Sequence, residues 1–453
     1  MIVPRSRLLF WTALVILPCA FIAGVSISPV MSTAALALIG ALVLFAIIDA
    51  LVARKNLAGI SVALPPVARM SKDRPANLLL RIRNAQQRRQ LVRVGVPWPR
   101  EITAATDETD ALLPDQSEWS QLSWLCTPLK RGNYKLQHVY VEGESPFGLW
   151  AARKPVPVQS EIRVYPNLMD DRRTLSALFL NRGQFGLHAQ RQVGKGRDFE
   201  KLREYIPGDG YDEIHWKATA RRGKPITKLF QIERTQEVYV IVDGSRLSAR
   251  PASESNGSGA ADAGVAPALE RFVTAALVLG LAAEQQGDLF GLMAFGDKVD
   301  KFVRAKNGQA HYNACRDALY TMEPRTVTPD FDELCTFIRL RLRRRALLIF
   351  LTALDDPAIS ESFVRSMRLI QRQHLVLVNM LQPPGVRPLF SSSAATGIDD
   401  IYQDLGGHLR WQKLRELQKI LRRMGVQFSL VKNERLSAEL VSQYLSVKQR
   451  QLL

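Results

Sequence analysis

The chain has 453 residues, and its 61 Lys and Arg against 43 Asp and Glu give a formal net charge of +18. This length predicts two or three domains, and a hydrophobic share of 47% allows large cores. The charge favours an anionic partner, which could be nucleic acid, an anionic membrane surface or an acidic protein. The four cysteines form no CxxC pair, which argues against a zinc or redox motif and predicts reduced core thiols.

The first element is a stretch without charge, residues 8–48. It is about twice the roughly 20 residues that cross a bilayer core as a helix. A turn rich in Ser and Pro lies in its middle, so we predict two membrane helices, about 8–27 and 33–53. Basic residues flank the pair: Arg5, Arg7, Arg54 and Lys55. The positive-inside rule then places both ends and the remaining chain in the cytoplasm. A cleaved signal peptide is the alternative, but no small-x-small cleavage site precedes a polar mature start.

Residues 56–166 alternate apolar and polar side chains over several short strands, which Pro and Gly-Asn turns separate. This spacing predicts a small β-sandwich whose role is support or protein contact. We expect its tryptophans to lie in the core: Trp98, Trp119, Trp124 and Trp150.

Residues 167–236 mix basic, acidic and aromatic side chains. The glycines at 194 and 196 follow no buried strand and precede no GKS/T sequence, so they do not predict a phosphate loop. The polar residues at 209–215 lack the spacing of a calcium loop and are interpreted as solvated turn residues. Trp216 and the alternating residues 226–232 are expected to pack a strand against the following sheet.

The remaining chain is organised around a β-branched and aromatic run, residues 238–242, which predicts a strand buried on both faces of a parallel sheet. Helices and buried strands alternate after it. We predict helices at 268–286, 310–322, 331–343, 414–424 and 438–447, and strands at 289–295, 346–351, 375–381 and 426–431. This alternation indicates a doubly wound α/β domain. Its ligand sites are expected at the carboxyl ends of the strands, where Asp243 and Ser245 follow the first strand.

A distinctive run precedes that domain: Gly194-x-Gly196-x-Asp198-Phe199-x-x-Leu202-Arg203-x-Tyr205-x-x-Gly208-Asp209, then Ile214-x-Trp216-Lys217-Ala218-x-Ala220-Arg221. It resembles the signature of domain-of-unknown-function family 58. Earlier segments are similar to the family's β-rich lead-in: Arg131-Gly132-x-Tyr134, Ser145-Pro146-Phe147-Gly148-Leu149 and Val164-Tyr165-Pro166.

The resemblance implies a C-terminal von Willebrand factor A-like (Rossmann-like) domain and a place in the bacterial inner membrane. The expected domains are a transmembrane helical hairpin (1–55), a β-rich sandwich-like domain (56–166), the signature segment packing on the C-terminal domain (167–236) and the A-like domain (237–453). Members of this family accompany MoxR-type AAA+ ATPases, so the resemblance implies such an ATPase as partner in assembling or chaperoning protein complexes.

The resemblance also implies a metal-ion-dependent adhesion site at the end of the first strand. Asp243 and Ser245 match its Asp-x-Ser loop, and Thr328 is the candidate threonine. Two positions depart from the pattern: Leu247 replaces the second serine, and Ala353 stands where the family usually shows Asp.

Asp355 is a candidate substitute for that missing carboxylate. One carboxylate and two hydroxyls are few ligands for magnesium. Two interpretations therefore remain: a magnesium site at Asp243, Ser245 and Thr328, or a metal-free loop in which Asp243 and Ser245 cap the turn.

The function we expect is partner binding rather than catalysis, with a contact surface at Asp243, Ser245, Arg246 and Thr328. A hydrolase using Ser245 is one alternative, but no GxSxG elbow and no partner base is visible. A basic nucleic-acid-binding protein is another, although no stacking motif or recognition helix stands out. The arginine-rich run at 339–345 predicts either a solvated helix end or a docking face for an acidic partner.

Overall fold

The computed structural model describes residues 1–25, 29–115, 117–169, 193–207, 209–231, 236–252, 266–389, 391 and 398–450. They form a mixed α/β structure with two apolar N-terminal helical segments and several sheets. The chain divides into two compact units, Met1–Asn167 and Leu168–Leu453.

The N-terminal hairpin has two helical arms. The first consists of α1 (Ser6–Trp11), a π-helical turn (Thr12–Ile16) and α2 (Leu17–Val25), and the second is α3 (Pro29–Asn56). The stretches Ser6–Gly24 and Val30–Arg54 have mean hydropathies of 1.9 and 2.7 and leave most of their surface unburied. Two helices that could span a membrane are therefore present, as predicted. Pro29 begins α3 instead of lying in the turn, because a first helical position does not need the N–H that proline lacks.

The first unit contains a β-sandwich. Its strands are β1 (Ile2–Pro4), β2 (Ile60–Ala63), β3 (Val67–Ser71), β4 (Ala76–Asn84), β5 (Gln90–Gly95), β6 (Ile102–Ala104), β7 (Glu108–Leu113), β8 (Trp119–Pro128), β9 (Gly132–Glu144) and β10 (Trp150–Tyr165). One sheet has the order β1-β10-β9-β5-β7 with β3 beside β10, and the other has the order β2-β4-β8-β6. Alternate residues of β4, including Leu78 and Leu80, share one core with Val92 and Val94 of β5. The alternating pattern thus gives two sheets with a common interior.

One of the tryptophan predictions for this sandwich is wrong. Trp124 lies in the core, but Trp119 is 51% exposed and the Arg83 guanidinium lies 5.9 Å from its ring centre. Both residues belong to β8, and their odd separation puts their side chains on opposite faces of the strand. Trp98 and Trp150 are half-buried.

The end of α3 is built into this unit. The carboxylate of Asp49 accepts hydrogen bonds from the Ser145 hydroxyl at 2.7 Å and from the backbone N–H of Leu149 at 3.3 Å. The Trp150 indole donates to the carbonyl of Ala46 at 2.8 Å, and β1 pairs with β10. The turn that follows β9 is therefore fixed by a helix that enters the apolar hairpin.

The second unit begins with a separate pair of strands, β11 (Val193–Glu204) and β12 (Ile226–Gln231), which are antiparallel. Helix α4 (Trp216–Arg222) lies between them in the chain. Trp216 is 69% exposed at the start of this helix, so its expected packing against the following sheet is wrong. His215 caps the helix instead, because its Nδ1 accepts a hydrogen bond from the Ala218 N–H.

The main sheet follows. Its strands are β13 (Glu237–Asp243), β14 (Leu289–Phe295), β15 (Val299–Lys306), β16 (Leu347–Leu351), β17 (Leu375–Leu381) and β18 (Gln427–Val431). The helices after β13 are α5 (Ala268–Gln285), α6 (Gln309–Leu319), α7 (Phe331–Arg341), α8 (Pro357–Met367), α9 (Ile398–Arg423) and α10 (Leu436–Gln449). The strand order is β15-β14-β13-β16-β17-β18, parallel throughout except for β15. Two separate hydrophobic clusters show that helices cover both faces of the sheet, as the alternation predicted.

Three elements of this unit differ from the sequence prediction. The antiparallel edge strand β15 was not predicted, because its residues are largely half-exposed and form no apolar run. Helix α8 was also missed. Helix α9 begins at Ile398 instead of near residue 414, since the exposed residues of its first half do not resemble a buried helix.

Candidate functional site

The candidate site lies where β13 and β16 end side by side. The strands β14 and β15 lie on one side of β13 in the sheet, and β16, β17 and β18 lie on its other side. Such a reversal of strand order is where open α/β sheets place their ligands, at the carboxyl ends of the strands. Val242 pairs with Leu351. Asp243, the last residue of β13, and Thr352, the first residue after β16, therefore meet at this edge.

The Asp243 carboxylate is held by hydrogen bonds to both of its oxygens. The Thr352 hydroxyl donates to Oδ2 at 2.6 Å, and the backbone N–H of Ser245 donates to Oδ1 at 2.8 Å. All three residues are completely buried. Burial raises the pKa of the Asp243 carboxyl above its ordinary value, and the hydrogen bonds from Thr352 and Ser245 oppose that rise. Asp243 therefore serves as an internal anchor for this edge.

The loop after β13 is shaped by short local bonds. The Ser245 Oγ accepts from the Leu247 N–H at 3.4 Å, and the Ser248 hydroxyl donates to the Ser245 carbonyl at 2.7 Å. These bonds cap a 3₁₀ turn over Arg246–Ala249. Capping of this kind is what the metal-free interpretation of the loop requires.

A second loop, residues 323–330, is joined to the first. The Arg325 N–H donates to the Gly244 carbonyl at 2.9 Å, and the Arg246 N–H donates to the Val327 carbonyl at 3.0 Å. The methyl group of Met322 packs against Gly244, where a Cβ would lie 2.5 Å from its carbon. The loops that carry Arg246 and Thr328 are therefore tied together by their backbones.

The four sequence-predicted contact residues fall into two groups. Asp243 and Ser245 have no exposed surface, so neither can touch a partner directly. Arg246 and Thr328 are exposed on the two joined loops. Arg246 forms no ion pair with any residue that the structure describes. At this edge Arg246 and Thr328 are therefore exposed, whereas Asp243 and Ser245 lie beneath the surface.

Thr352 is the functional residue that the sequence reasoning missed. Thr328 was the candidate threonine, but the threonine bonded to Asp243 is Thr352. Its position directly after the buried strand β16 was the available signal. The contact itself depends on the register of β16 against β13, which the sequence does not display.

Asp355, the candidate substitute carboxylate, has a different partner. Its Oδ2 accepts from the Arg250 guanidinium at 2.5 Å in an ion pair. The ion pair fixes the loop after β16 to the end of the 3₁₀ turn. The carboxylate of Asp355 is therefore paired with Arg250 and does not join Asp243 and Thr352.

The residues present do not fit a magnesium ion. Magnesium holds several waters and needs an open side, whereas Asp243 and Ser245 are fully buried and engaged in protein hydrogen bonds. Leu247 is buried and supplies no ligand atom. Within the described residues, no group of three or more His, Cys, Asp or Glu side chains is placed to hold a metal.

The geometry also gives little support to the hydrolase alternative. A serine nucleophile needs an adjacent base and access to substrate. The Ser245 Oγ is buried, and among the described residues no histidine hydrogen-bonds to it. Cys315 and Cys335 are no better as nucleophiles, because burial raises the pKa of each thiol to about 12.

The arginine-rich run lies at the opposite edge of the sheet. It covers the end of α7 and the connection to the start of β16, and its exposed members are Arg339, Arg341, Arg343, Arg344 and Arg345. None of them forms an ion pair with a residue in the described ranges, although Arg341 lies 5.7 Å from the ring centre of Phe337. This run is a second positively charged surface, separate from Arg246.

Part of this unit matches a known family. Residues 201–386 match the family model described as Protein of unknown function DUF58, which confirms the family resemblance over those residues. No curated protein matches the chain in sequence.

Solved structures show a weak overall likeness. The PilB minor pilin from Streptococcus sanguinis is 10% identical, with 89% of this chain and 94% of that chain covered and a TM-score of 0.33. The conserved hypothetical protein BatB from Bacteroides thetaiotaomicron is 13% identical, covering 48% of this chain and 99% of that one, with a TM-score of 0.29. An aerotolerance-related membrane protein from Bacteroides fragilis is 12% identical, with coverages of 46% and 97% and a TM-score of 0.27. Because these TM-scores are all below 0.5, they carry no argument about the function of this chain.

Proposed function

We propose that this chain is a membrane-anchored protein-interaction module. The apolar hairpin holds the two units at the cytoplasmic side of the bacterial inner membrane, with Arg5, Arg7, Arg54 and Lys55 on that side. The second unit acts as a von Willebrand factor A-like (Rossmann-like) domain that receives a partner at the carboxyl edge of its sheet. Its strand order, its antiparallel β15 and the Asp-x-Ser loop after β13 support this assignment.

One observation carries the proposal. Arg246 and Thr328 are exposed on two loops, and the buried hydrogen bond between Thr352 and Asp243 lies beneath them. The Thr352–Asp243 contact and the backbone bonds between the loops set their conformation before any partner arrives. A pre-formed binding surface loses less conformational entropy when it binds. Binding residues on loops that a rigid sheet supports are the usual arrangement of such sites.

The partner we propose carries carboxylates at the contact. Arg246 offers a guanidinium that can bind a carboxylate with two parallel hydrogen bonds. The family resemblance makes a MoxR-type AAA+ ATPase the leading partner, with assembly or chaperoning of protein complexes at the membrane as the shared task.

Affinity capture from detergent-solubilised membranes tests the proposal. The full chain is compared with Arg246→Glu, in the presence and absence of nucleotide. We expect the wild type to recover an AAA+ ATPase. The charge reversal should reduce that recovery about ten-fold, because repulsion replaces a charge pair.

Two matched variants separate the surfaces. Arg422→Glu reverses an exposed charge in the last turn of α9, outside the loops that carry Arg246 and Thr328, and should leave recovery unchanged. Arg343→Glu probes the arginine-rich run. If only Arg343→Glu reduces partner recovery, the contact lies at the opposite edge of the sheet and not at Arg246. If no AAA+ protein is recovered, the proposal of an ATPase partner is rejected. Recovery that disappears after nuclease treatment would favour the nucleic-acid alternative.

A further inference from the structure

A groove opens between the two helical arms where they meet the sandwich. It is a cavity of about 410 Å³ within the first unit, walled mostly by apolar side chains. Leu8 and Thr12 line it from the first arm, Val43 and Ala50 from α3, and Trp150 from β10. Arg54 is the charged residue in its lining.

The dimensions of the groove suit one hydrocarbon chain. From Val43 to Arg54 the wall extends about 16 Å at 1.5 Å per residue. This length is close to one leaflet of a bilayer core roughly 30 Å thick. Divided by this length, the volume gives the groove a mean cross-section of about 25 Å². An α-helix with its side chains is about 10 Å in diameter, which corresponds to a cross-section of about 80 Å². The space therefore suits one hydrocarbon chain better than a helix from another protein.

The charges at its cytoplasmic end suit a phosphate. Arg54 is exposed and has no ion pair with any described residue. Arg7, next to the lining residue Leu8, is likewise exposed and without an ion pair in the described part of the chain. Arg5 differs from both, since it pairs with Glu144. Arg54 therefore presents an uncompensated guanidinium where the apolar wall ends, and Arg7 adds a second one beside Leu8 in the chain.

We propose that this groove binds one anionic phospholipid, with an acyl chain along α3 and its phosphate at Arg54. The proposal rests on the membrane anchoring in the proposed function. It goes beyond general membrane attraction, because it assigns one lipid to one site. The indole of Trp150 closes the groove from the side of the sandwich and is held by its bond to the Ala46 carbonyl.

Native mass spectrometry of the full chain in detergent tests the site. The protein is titrated with phosphatidylglycerol and with phosphatidylcholine of identical acyl chains. We expect one phosphatidylglycerol molecule to be retained in preference to phosphatidylcholine. Arg54→Gln should lower that retention about five-fold, the usual contribution of one basic residue near anionic lipid. Ala50→Phe, which fills the groove, should lower retention of both lipids.

The control is Arg81→Gln, which removes an exposed arginine of β4 outside the groove and should change nothing. Equal retention of the two lipids, or an equal effect of Arg54→Gln and Arg81→Gln, overturns the proposal. Unchanged retention in Ala50→Phe does so as well. Membrane fractionation separates this failure from that of the proposed function, because only the latter predicts that the chain itself sediments with membranes.

Discussion

The hydroxyl of Thr352 donates a 2.6 Å hydrogen bond to the carboxylate of Asp243, and both side chains are fully buried. This bond joins the ends of two adjacent parallel strands, at the point where the strand order of the sheet reverses. It holds the carboxylate away from solvent and fixes the loop that presents Arg246. In the proposed binding surface, Asp243 would therefore act by fixing the shape of the surface and not by touching a partner.

Thr352→Val tests the bond between the strand ends. Valine keeps the shape of threonine but leaves Asp243 Oδ2 buried without its donor. We expect the free energy of unfolding to be about 1–3 kcal/mol lower than in the wild type, which is the usual penalty for a buried acceptor without a donor. Thermal unfolding of the full chain in detergent measures this loss. The matched control is Thr328→Val, which alters an exposed threonine and should stay within about 0.5 kcal/mol. Identical unfolding curves for the two variants would contradict the role assigned to Thr352.

Removal of divalent cations should leave the molecule unchanged. Asp243 and Ser245 are buried and bonded within the protein, so a magnesium ion has no open side to bind. We expect the purified chain to have the same melting temperature with magnesium and with a chelator. A magnesium-dependent rise in melting temperature that Asp243→Asn abolishes would show that the loop holds a metal.

A buried histidine should make stability depend on pH. His374 is 3% exposed, and neither of its ring nitrogens has a hydrogen-bond partner among the residues that the structure describes. Burial lowers the pKa of His374 below its ordinary value, because the charged ring would lose its solvation. In the unfolded chain His374 takes up a proton below about pH 6.5, whereas in the folded protein it does so only at a lower pH. Stability is complete above that pH and falls as the pH drops towards the folded pKa.

Melting temperatures between pH 8 and pH 5 measure this dependence. His374→Leu should flatten the acid side of the curve, since leucine takes up no proton. His138→Gln is the control, because His138 is exposed and its substitution should leave the slope unchanged. Equal slopes for wild type and His374→Leu would assign the acid sensitivity to other groups.

The sequence predicted the core of the main sheet well because its central strands are buried on both faces. Five consecutive apolar residues in β13, all of them β-branched or aromatic, and five in β16 favour strands buried on both faces. The same reasoning failed for β15, because an antiparallel edge strand with largely half-exposed side chains has no such run. Trp119 was misjudged for a related reason. Composition suggested a core residue, and only its odd spacing from Trp124 placed it on the outer face.

The candidate site could be predicted only in part. Asp243 and Ser245 were placed at a strand end by local pattern alone. Thr352 is distant in the chain, and its contact depends on which strands are neighbours and in what register. The partner of Asp49 was hidden for the same reason, since Ser145 lies in the turn that follows β9. Long-range pairing of polar side chains is what the linear sequence does not display.

Asp49→Ala tests the connection between the hairpin and the sandwich. The substitution removes the acceptor for the Ser145 hydroxyl and the Leu149 N–H, both of which are buried. We expect a loss of about 2 kcal/mol in unfolding free energy, because these donors would be left unsatisfied. Membrane insertion should not suffer, since alanine makes the end of α3 more apolar. Reduced stability therefore cannot be attributed to a failed anchor.

Hydrogen exchange of the Asp49→Ala variant supplies the local readout. The amides of Phe147 and Leu149 both donate to Asp49 and should exchange faster in the variant, while those of β4 keep their protection. Asp107→Ala is the matched control, as Asp107 is an exposed acidic residue of the same unit. Unchanged exchange at residues 147–149 would mean that the turn keeps its conformation without the carboxylate. The connection between the hairpin and the sandwich would then depend on the remaining contacts, including the bond from the Trp150 indole to the Ala46 carbonyl and the apolar contacts of α3.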